Sequence, residues 1–184
     1  MYDDEGPTAL GLVPVEGRGS LPFLLLHGES LVAVASWALG EAGVELLDFT
    51  AGWSQVQARE LPLVIHDPLC PGTPVGFLAD AVAAATGTAV VAGVRPVTDT
   101  VREVDAAGLL GATADRSALH AVVSPVVLPP AVVAQLDGLP DTDDLADLVV
   151  ALRERFEVTL LEAPATARRV ADESDLRLLE ALPD

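Results

Sequence analysis

The stretch LPLVIHDPLCPGTP, from Leu61 to Pro74, predicts a strand, a turn and the start of a helix. Its apolar run stops at His66-Asp67, and a proline-rich turn follows. Pro74 then opens a segment in which apolar residues recur at helical spacing, with Gly87 at its end. Ligands of α/β proteins bind outside the carboxyl ends of such strands. Asp67 is therefore a candidate functional residue, and a carboxylate that only caps the turn is the alternative.

Strand and helix patterns alternate on both sides of this unit, which indicates one α/β domain over residues 1–184. Apolar and β-branched runs predict strands at Leu10–Val15, Val44–Thr50, Leu61–His66, Thr88–Val94, Leu119–Val127 and Phe156–Leu161. Helical spacing and capping residues predict helices at Glu29–Ala42, Pro74–Gly87, Pro129–Leu136, after an N-cap at Thr142, and at Asp172–Leu182. This order predicts a doubly wound, mostly parallel sheet.

The alternation is interrupted between residues 98 and 118, where the pattern predicts a protruding β-hairpin arm. TVREV, from Thr100 to Val104, alternates apolar and polar residues, and DAAG at 105–108 is a turn signal. Leu109–Ala114 then forms the returning strand. The apolar side chains of this hairpin have little core of their own, and a partner subunit would cover them.

The composition excludes several classes of function. The chain has 28 acidic and 10 basic residues, a net charge of −18, and all ten basic residues are arginines. Nucleic-acid binding needs a basic surface, so it is not expected, and no mechanism can use a lysine of this chain. A single cysteine allows neither an internal disulfide nor a thiolate zinc site. No apolar run has the roughly 20 residues of a membrane span, and we expect a cytoplasmic protein without a secretion signal.

Four segments resemble the 2-C-methyl-D-erythritol 4-phosphate cytidylyltransferases. They are LPLVIHDPLCPGTP, VVAGVRPVTDTVREVDAAGLLGATADRSALHAVVSP, DTDD and ARRVADESDLRLLEAL, in this order between Leu61 and Leu182. The resemblance implies a doubly wound α/β domain whose β-arm interlocks two subunits, and hence a homodimer. It also implies that CTP and 2-C-methyl-D-erythritol 4-phosphate react to give CDP-methylerythritol and pyrophosphate.

The resemblance gives roles to seven residues of this sequence. Asp67 matches an aspartate that binds the catalytic Mg²⁺, a hard cation that prefers carboxylate oxygens. Thr100 and Arg116 match arm residues that reach the methylerythritol phosphate of the partner subunit, and a guanidinium suits a phosphate. For Arg116, an ion pair with Asp115 or another acidic residue of the arm is the alternative.

The remaining implied site residues lie on both sides of the arm in sequence. Ser124 stands where the family has a threonine near the same substrate, and Thr142 matches the threonine of the family's TD motif. Arg169 replaces a lysine that contacts the phosphates, and Arg18 is the one candidate for the arginine of the nucleotide loop. Asp143 and Asp144, which follow Thr142, are either part of a capped helix end or additional cation ligands.

The sequence also departs from the family pattern at several positions. LVPVEGRGSLPFLLLHGESL is shorter than the loop that wraps the CTP triphosphate, and Glu16 adds a negative charge there. TAGWSQVQARE, from Thr50 to Glu60, has no second nucleotide motif, and Cys70 replaces an arginine. We therefore expect weak or absent transfer. The alternative is a non-catalytic dimeric homologue that binds a phosphorylated metabolite or a protein partner.

The histidines and the cysteine have simple structural interpretations. We expect His66 to be a buried hydrogen-bonding residue and His27, in the turn HGE, to be exposed. His120 lies in a predicted strand, which favours packing in the core. Cys70 is interpreted as a small buried apolar residue, with a reactive thiolate as the less favoured alternative.

Overall fold

The computed structural model describes residues 6–48 and 50–181. Their strands are β1 (Ala9–Leu12), β2 (Leu25–Leu26), β3 (Glu29–Ser30), β4 (Val44–Leu46), β5 (Leu63–Ile65), β6 (Val90–Pro96), β7 (Arg102–Val104), β8 (Leu110–Thr113), β9 (His120–Leu128) and β10 (Val158–Glu162). The α-helices are α1 (Leu31–Glu41), α2 (Trp53–Ala58), α3 (Val75–Ala84), α4 (Pro130–Val133), α5 (Leu145–Arg153) and α6 (Glu173–Glu180). Short 3₁₀ helices lie at Leu21–Phe23, Arg116–Ala118 and Ala165–Ala167.

Six strands form the central sheet in the order β10-β6-β9-β5-β1-β4. β9 runs antiparallel to both of its neighbours, and the other three pairings are parallel. The central strands are buried along most of their length and rich in valine, as expected for a sheet covered on both faces. The prediction of a doubly wound, mostly parallel sheet is confirmed.

Helices cover both faces of this sheet because successive side chains of each strand point to opposite sides. Val64 packs into one core cluster with residues of α1 and α3. Its neighbours Leu63 and Ile65 belong to a second cluster, which includes residues of α2, α4 and α5. β5 is therefore buried between two layers of helices. Asp67 lies just after its carboxyl end, at the edge of these layers. Among the described residues, no helix combines the length and the apolar character needed to cross a membrane.

Two elements were not predicted from the sequence because they are short: α2 has six residues, and each strand of the β2–β3 hairpin has two. α2 lies in the stretch TAGWSQVQARE and is held by polar contacts to the region after α4. Trp53 Nε1 and Gln57 Nε2 both donate to the carbonyl oxygen of Leu136, at 2.6 and 3.0 Å. The β2–β3 hairpin brackets His27, which is exposed as expected and has a left-handed backbone (φ 51°).

Two predictions about individual residues were wrong. Asp144, and not Thr142, is the N-cap of α5, because the Asp144 carboxylate accepts a hydrogen bond from Asp147 N–H at 2.9 Å. His120 is exposed and not packed in the core, because β9 begins there beside Pro96, at the base of the arm and outside the layer of helices. The predicted strand Val44–Thr50 ends at Leu46, and Phe49 lies outside the described residues, as does Leu182 at the end of the final predicted helix.

The predicted arm is a two-stranded hairpin in which β7 and β8 pair only with each other. Asp105 shapes its turn, since one carboxylate oxygen accepts from Ala107 N–H and Leu109 N–H, both at 2.9 Å. Gly108 supplies the left-handed conformation (φ 79°). Val104, Leu109 and Leu110 are each more than 60% exposed, so the described part of the chain leaves these apolar residues of the hairpin uncovered.

Candidate functional site

Asp67 is fully buried just after β5, and both of its carboxylate oxygens are already bound by protein groups. Oδ1 accepts from Arg18 Nε at 2.9 Å and from Leu69 N–H at 3.0 Å. Oδ2 lies 3.4 Å from Arg169 Nε. The predicted position of Asp67 at the carboxyl end of a buried strand is correct. The sequence did not reveal that two arginines converge on it.

Arg18 is directed into the protein and is 3% exposed at its side chain. Its Nη1 donates to the carbonyl oxygen of Glu16 at 2.7 Å, which fixes the guanidinium from a second side. Gly17 and Gly19 flank it with left-handed backbones (φ 73° and 59°), and the turn they form brings the arginine inward. This segment therefore buries its cation against Asp67, where an arginine of a nucleotide-binding loop would face a triphosphate.

Arg169 joins the C-terminal part of the chain to the same carboxylate. Val170 N–H donates to Leu69 O at 2.6 Å, so the segment before α6 runs alongside the turn that follows Asp67. The Arg169 side chain is 39% exposed, and its contact with Asp67 is longer than that of Arg18. Arg169 is thus the more accessible of the two cations.

Ser124 and His66 form a buried hydrogen-bonded group behind Asp67. The Ser124 hydroxyl accepts from Asp67 N–H at 3.1 Å and is hydrogen-bonded to His66 Nδ1. The backbone N–H can only donate, so the hydroxyl is its acceptor, and the direction of the second hydrogen bond, to Nδ1, depends on the histidine tautomer. The Ser124 hydroxyl is therefore used inside the protein. Gly93 permits this packing, since a Cβ there would lie 2.9 Å from Ser124 O.

Burial shifts the pKa values of His66 and Cys70, both near Asp67, in the direction that favours the neutral side chain. The pKa of His66 falls to about 4, because desolvation outweighs the opposing attraction of the Asp67 carboxylate. The pKa of the Cys70 thiol rises to about 12, mainly through burial and then through the charge of Asp67. Cys70 packs with Phe77, Val123, Ala163 and Ala167. His66 and Cys70 are structural residues, as the sequence indicated.

Thr142 lines a cavity of about 290 Å³ together with Arg18. Glu16, Asp141 and Asp144 line the same cavity, so most of its charged groups are negative. An incoming phosphate would meet these carboxylates, while the Arg18 charge is already compensated by Asp67.

The residues around Asp67 do not fit a magnesium ion. Mg²⁺ needs an approach to carboxylate oxygens, and here two guanidinium groups hold both oxygens of the carboxylate. Within residues 6–48 and 50–181, no three histidine, cysteine or acidic side chains are grouped as a metal site would require.

Thr100 and Arg116 lie on the arm, and both are exposed. Arg116 Nη1 donates to Thr98 O at 2.6 Å. Asp115 instead accepts from Ser117 N–H and the Ser117 hydroxyl, so the expected alternative of an Arg116–Asp115 pair is not the arrangement found. Within the described chain the fold brings together Asp67, Arg18, Arg169 and Ser124, places Thr142 beside Arg18, and leaves the two arm residues outside this hydrogen-bonded group.

The doubly wound α/β sheet, with a charged cluster outside the carboxyl ends of its strands, has the nucleotidyltransferase-like fold. The family model of IspD, 2-C-methyl-D-erythritol 4-phosphate cytidylyltransferase, matches residues 50–182. The chain belongs to this family. The matched region begins after the segment that contains Arg18.

Individual relatives agree with this assignment. A 2-C-methyl-D-erythritol 4-phosphate cytidylyltransferase of Nocardia farcinica is 36% identical over 225 positions, covering 99% of this chain and 96% of that protein. One of Frankia casuarinae is 41% identical over 125 residues, which are 65% of this chain and less than half, 46%, of that protein. The crystal structure of the enzyme from Thermus thermophilus has the same fold, with a TM-score of 0.68 at 24% identity, over 95% of this chain and 98% of that one.

We predict that replacing Asp67 by asparagine destabilises the fold by about 3–5 kcal/mol, because Arg18 then stays buried without a counter-charge. The measurement is the free energy of unfolding in urea. Glu45→Gln is the matched control, since it breaks the exposed Arg59–Glu45 ion pair and should have a much smaller effect. Equal stability of Asp67→Asn and the wild type would show that the buried pair does not support the fold.

The lowered pKa of His66 predicts a loss of stability in acid. Below pH 6.5 the unfolded chain protonates His66 while the folded chain does not, so stability falls between about pH 6.5 and about pH 4 and then levels off. A shift from 6.5 to about 4 corresponds to about 3 kcal/mol. The variant His66→Gln should lack this component when unfolding is compared at pH 7.5 and pH 4.5. The same pH dependence in both proteins would refute the burial of a neutral histidine.

Proposed function

We propose that this chain is a divergent cytidylyltransferase-like protein in which transfer from CTP to 2-C-methyl-D-erythritol 4-phosphate is severely weakened or lost. The observation that carries this proposal is the double ion pair of Asp67 with Arg18 and Arg169. The resemblance assigns metal binding to the carboxylate and phosphate contacts to the two cations. In this chain Arg18 and Asp67 neutralise each other in the interior, and Arg169 holds the second carboxylate oxygen of Asp67.

The cost of separating a buried ion pair favours the contact of Arg18 with Asp67 over a metal ion at Asp67. Binding a cation at Asp67 would require displacing Arg18, whose side chain is 3% exposed and is also held by the carbonyl oxygen of Glu16. Removing one partner from a buried ion pair costs several kcal/mol because the other charge stays desolvated. A metal ion would have to compensate that loss before it contributed anything to phosphoryl transfer.

Shortening of the nucleotide-binding parts supports the same proposal. The alignment with the Nocardia relative spans 225 positions against 184 residues here, so at least 41 positions (225 less 184) have no residue in this chain. The stretch in which the second nucleotide motif was expected forms α2, whose polar side chains bind the backbone near Leu136. No lysine is present anywhere in the chain to neutralise charge on a transferring phosphate.

A second candidate function is binding without transfer, as a dimer that recognises a phosphorylated metabolite or a protein partner. The specific observation in its favour is the arm, whose apolar side chains at 104, 109 and 110 are exposed although the hairpin itself is well formed. Exposed apolar groups on a protruding element are typical of surfaces that another chain covers.

We predict that the protein releases pyrophosphate from CTP, 2-C-methyl-D-erythritol 4-phosphate and Mg²⁺ at less than about 10⁻³ per second, because loss of one cation alone costs about 10³ or more. A coupled pyrophosphate assay measures this rate. The variant Thr142→Val, prepared in the same host, reports the background from contaminating enzyme. A wild-type rate of roughly 1 per second or faster, well above that background, would contradict the proposal.

We predict that the protein is a homodimer at micromolar concentration and that the arm is responsible. Light scattering coupled to size-exclusion chromatography gives the mass in solution. Replacing Leu109 and Leu110 by aspartate should yield monomers, because two charges cannot be buried against a partner without a large desolvation cost. Trp37→Asp, at an exposed position on α1, is the matched control and should remain dimeric. A monomeric wild type would exclude this dimer.

A further inference from the structure

A second cleft of about 920 Å³ lies beside the Asp67 cluster, and its walls come from four parts of the chain. They are the β2–β3 hairpin, the turn between β5 and α3, the base of the arm after β6, and the segment from Ala165 into α6. Arg95, Arg168 and Arg169 line it, so three of the ten cations of a strongly acidic chain meet in one cavity. The cavity volume is in the range of small-molecule binding sites.

These arginines have hydrogen-bond donors to spare. Within the described part of the chain, Arg95 has neither an ion pair nor a side-chain hydrogen bond, although it is only partly exposed. Arg168 uses one guanidinium nitrogen, Nη2, which lies 2.8 Å from Asp175 Oδ1. A guanidinium carries five N–H donors, so most of the donors of Arg95 and Arg168 are available to a ligand.

The cleft is built on tight backbone contacts and is not a gap between loose loops. A Cβ on Gly72 would lie 2.3 Å from Thr166 O, so the turn before α3 and the segment before α6 are in direct contact at the floor. On the opposite side, His27 N–H donates to Glu180 Oε1 at 3.2 Å and ties the β2–β3 hairpin to α6. The family resemblance assigns no role to Arg95 or Arg168.

The charge of the whole molecule limits what this cleft can accept. A net charge of −18 repels an extended polyanion, while a small anion meets mainly the local field of the cleft, in which three arginines outnumber the two carboxylates, Asp99 and Asp175. The forked donors of arginine match phosphate oxygens. Asp99 and His27, which also line the cleft, offer polar partners for the hydroxyl groups of a phosphorylated polyol.

We propose that this cleft binds a small phosphorylated metabolite, with Arg95 and Arg168 contacting its phosphate. The inference rests on the second candidate function, binding without transfer, and requires neither CTP nor a metal ion. Arg169 lines this cleft and also contacts Asp67. Its exposed guanidinium group supplies a third cation, and the buried ion pair between Arg18 and Asp67 stays intact.

Calorimetric titration of the wild-type protein with glycerol 3-phosphate, in buffer containing EDTA and no nucleotide, tests the proposal. We expect binding that weakens as salt is added, and at least tenfold weaker affinity, about the value of one charged hydrogen bond, in Arg95→Gln. Arg153→Gln is the matched control, because it removes the same charge from an exposed position on α5 outside the cleft. If Arg95→Gln does not fold, Arg168→Gln provides a second variant in which the affinity for glycerol 3-phosphate should fall.

Three outcomes would overturn the inference. One is no heat and no thermal stabilisation with millimolar glycerol 3-phosphate or inorganic phosphate. The second is equal weakening by Arg95→Gln and Arg153→Gln, which would indicate diffuse electrostatics. The third is equally tight binding of citrate, which would indicate a general anion site. Failure here is distinguishable from failure of the proposed loss of transfer, because that is read separately from pyrophosphate release.

Discussion

The buried carboxylate of Asp67, shared between Arg18 and Arg169, is the interaction on which this end of the molecule depends. It connects residues that are 49 and 102 positions away in the sequence and so joins the N-terminal turn, the end of β5 and the segment before α6. Ser124 and His66 complete the group, because the Ser124 hydroxyl is hydrogen-bonded to His66 Nδ1 and accepts from Asp67 N–H. Few polar groups are buried in the described chain, and most of them are in this one cluster.

The proposed loss of transfer separates the scaffold of the family from its chemistry. The sheet, the order of its strands and the arm agree with membership of the cytidylyltransferase family, and the match over residues 50–182 includes Asp67 and Arg169. A cation and a carboxylate that neutralise each other in the interior stabilise a turn, but they no longer present charge to a substrate. Under the proposed loss of transfer, the same residue types at the same strand end serve structure, and the accessible arginines lie in the neighbouring cleft.

The sequence predicted the sheet because hydrophobic periodicity reports burial, and the runs at 63–65, 90–94 and 120–128 are unambiguous in this respect. It predicted Asp67 at a strand end for the same reason. It could not predict the partner of Asp67, because an ion pair over 49 residues leaves no periodic signal. α2 has six residues and one fully buried side chain, too few for a recognisable pattern, and the exposure of His120 depends on where the helices stop covering β9.

The central claim is that Asp67 is committed to its two arginines and unavailable to a metal-bound nucleotide. A crystal of the protein soaked with CTP and Mg²⁺ tests it most directly, because the map shows which atoms contact each carboxylate oxygen. We predict that Arg18 Nε stays within hydrogen-bonding distance of Asp67 and that no metal ion binds there. A magnesium ion between Asp67 and an ordered triphosphate, with Arg18 moved outward, would contradict the account.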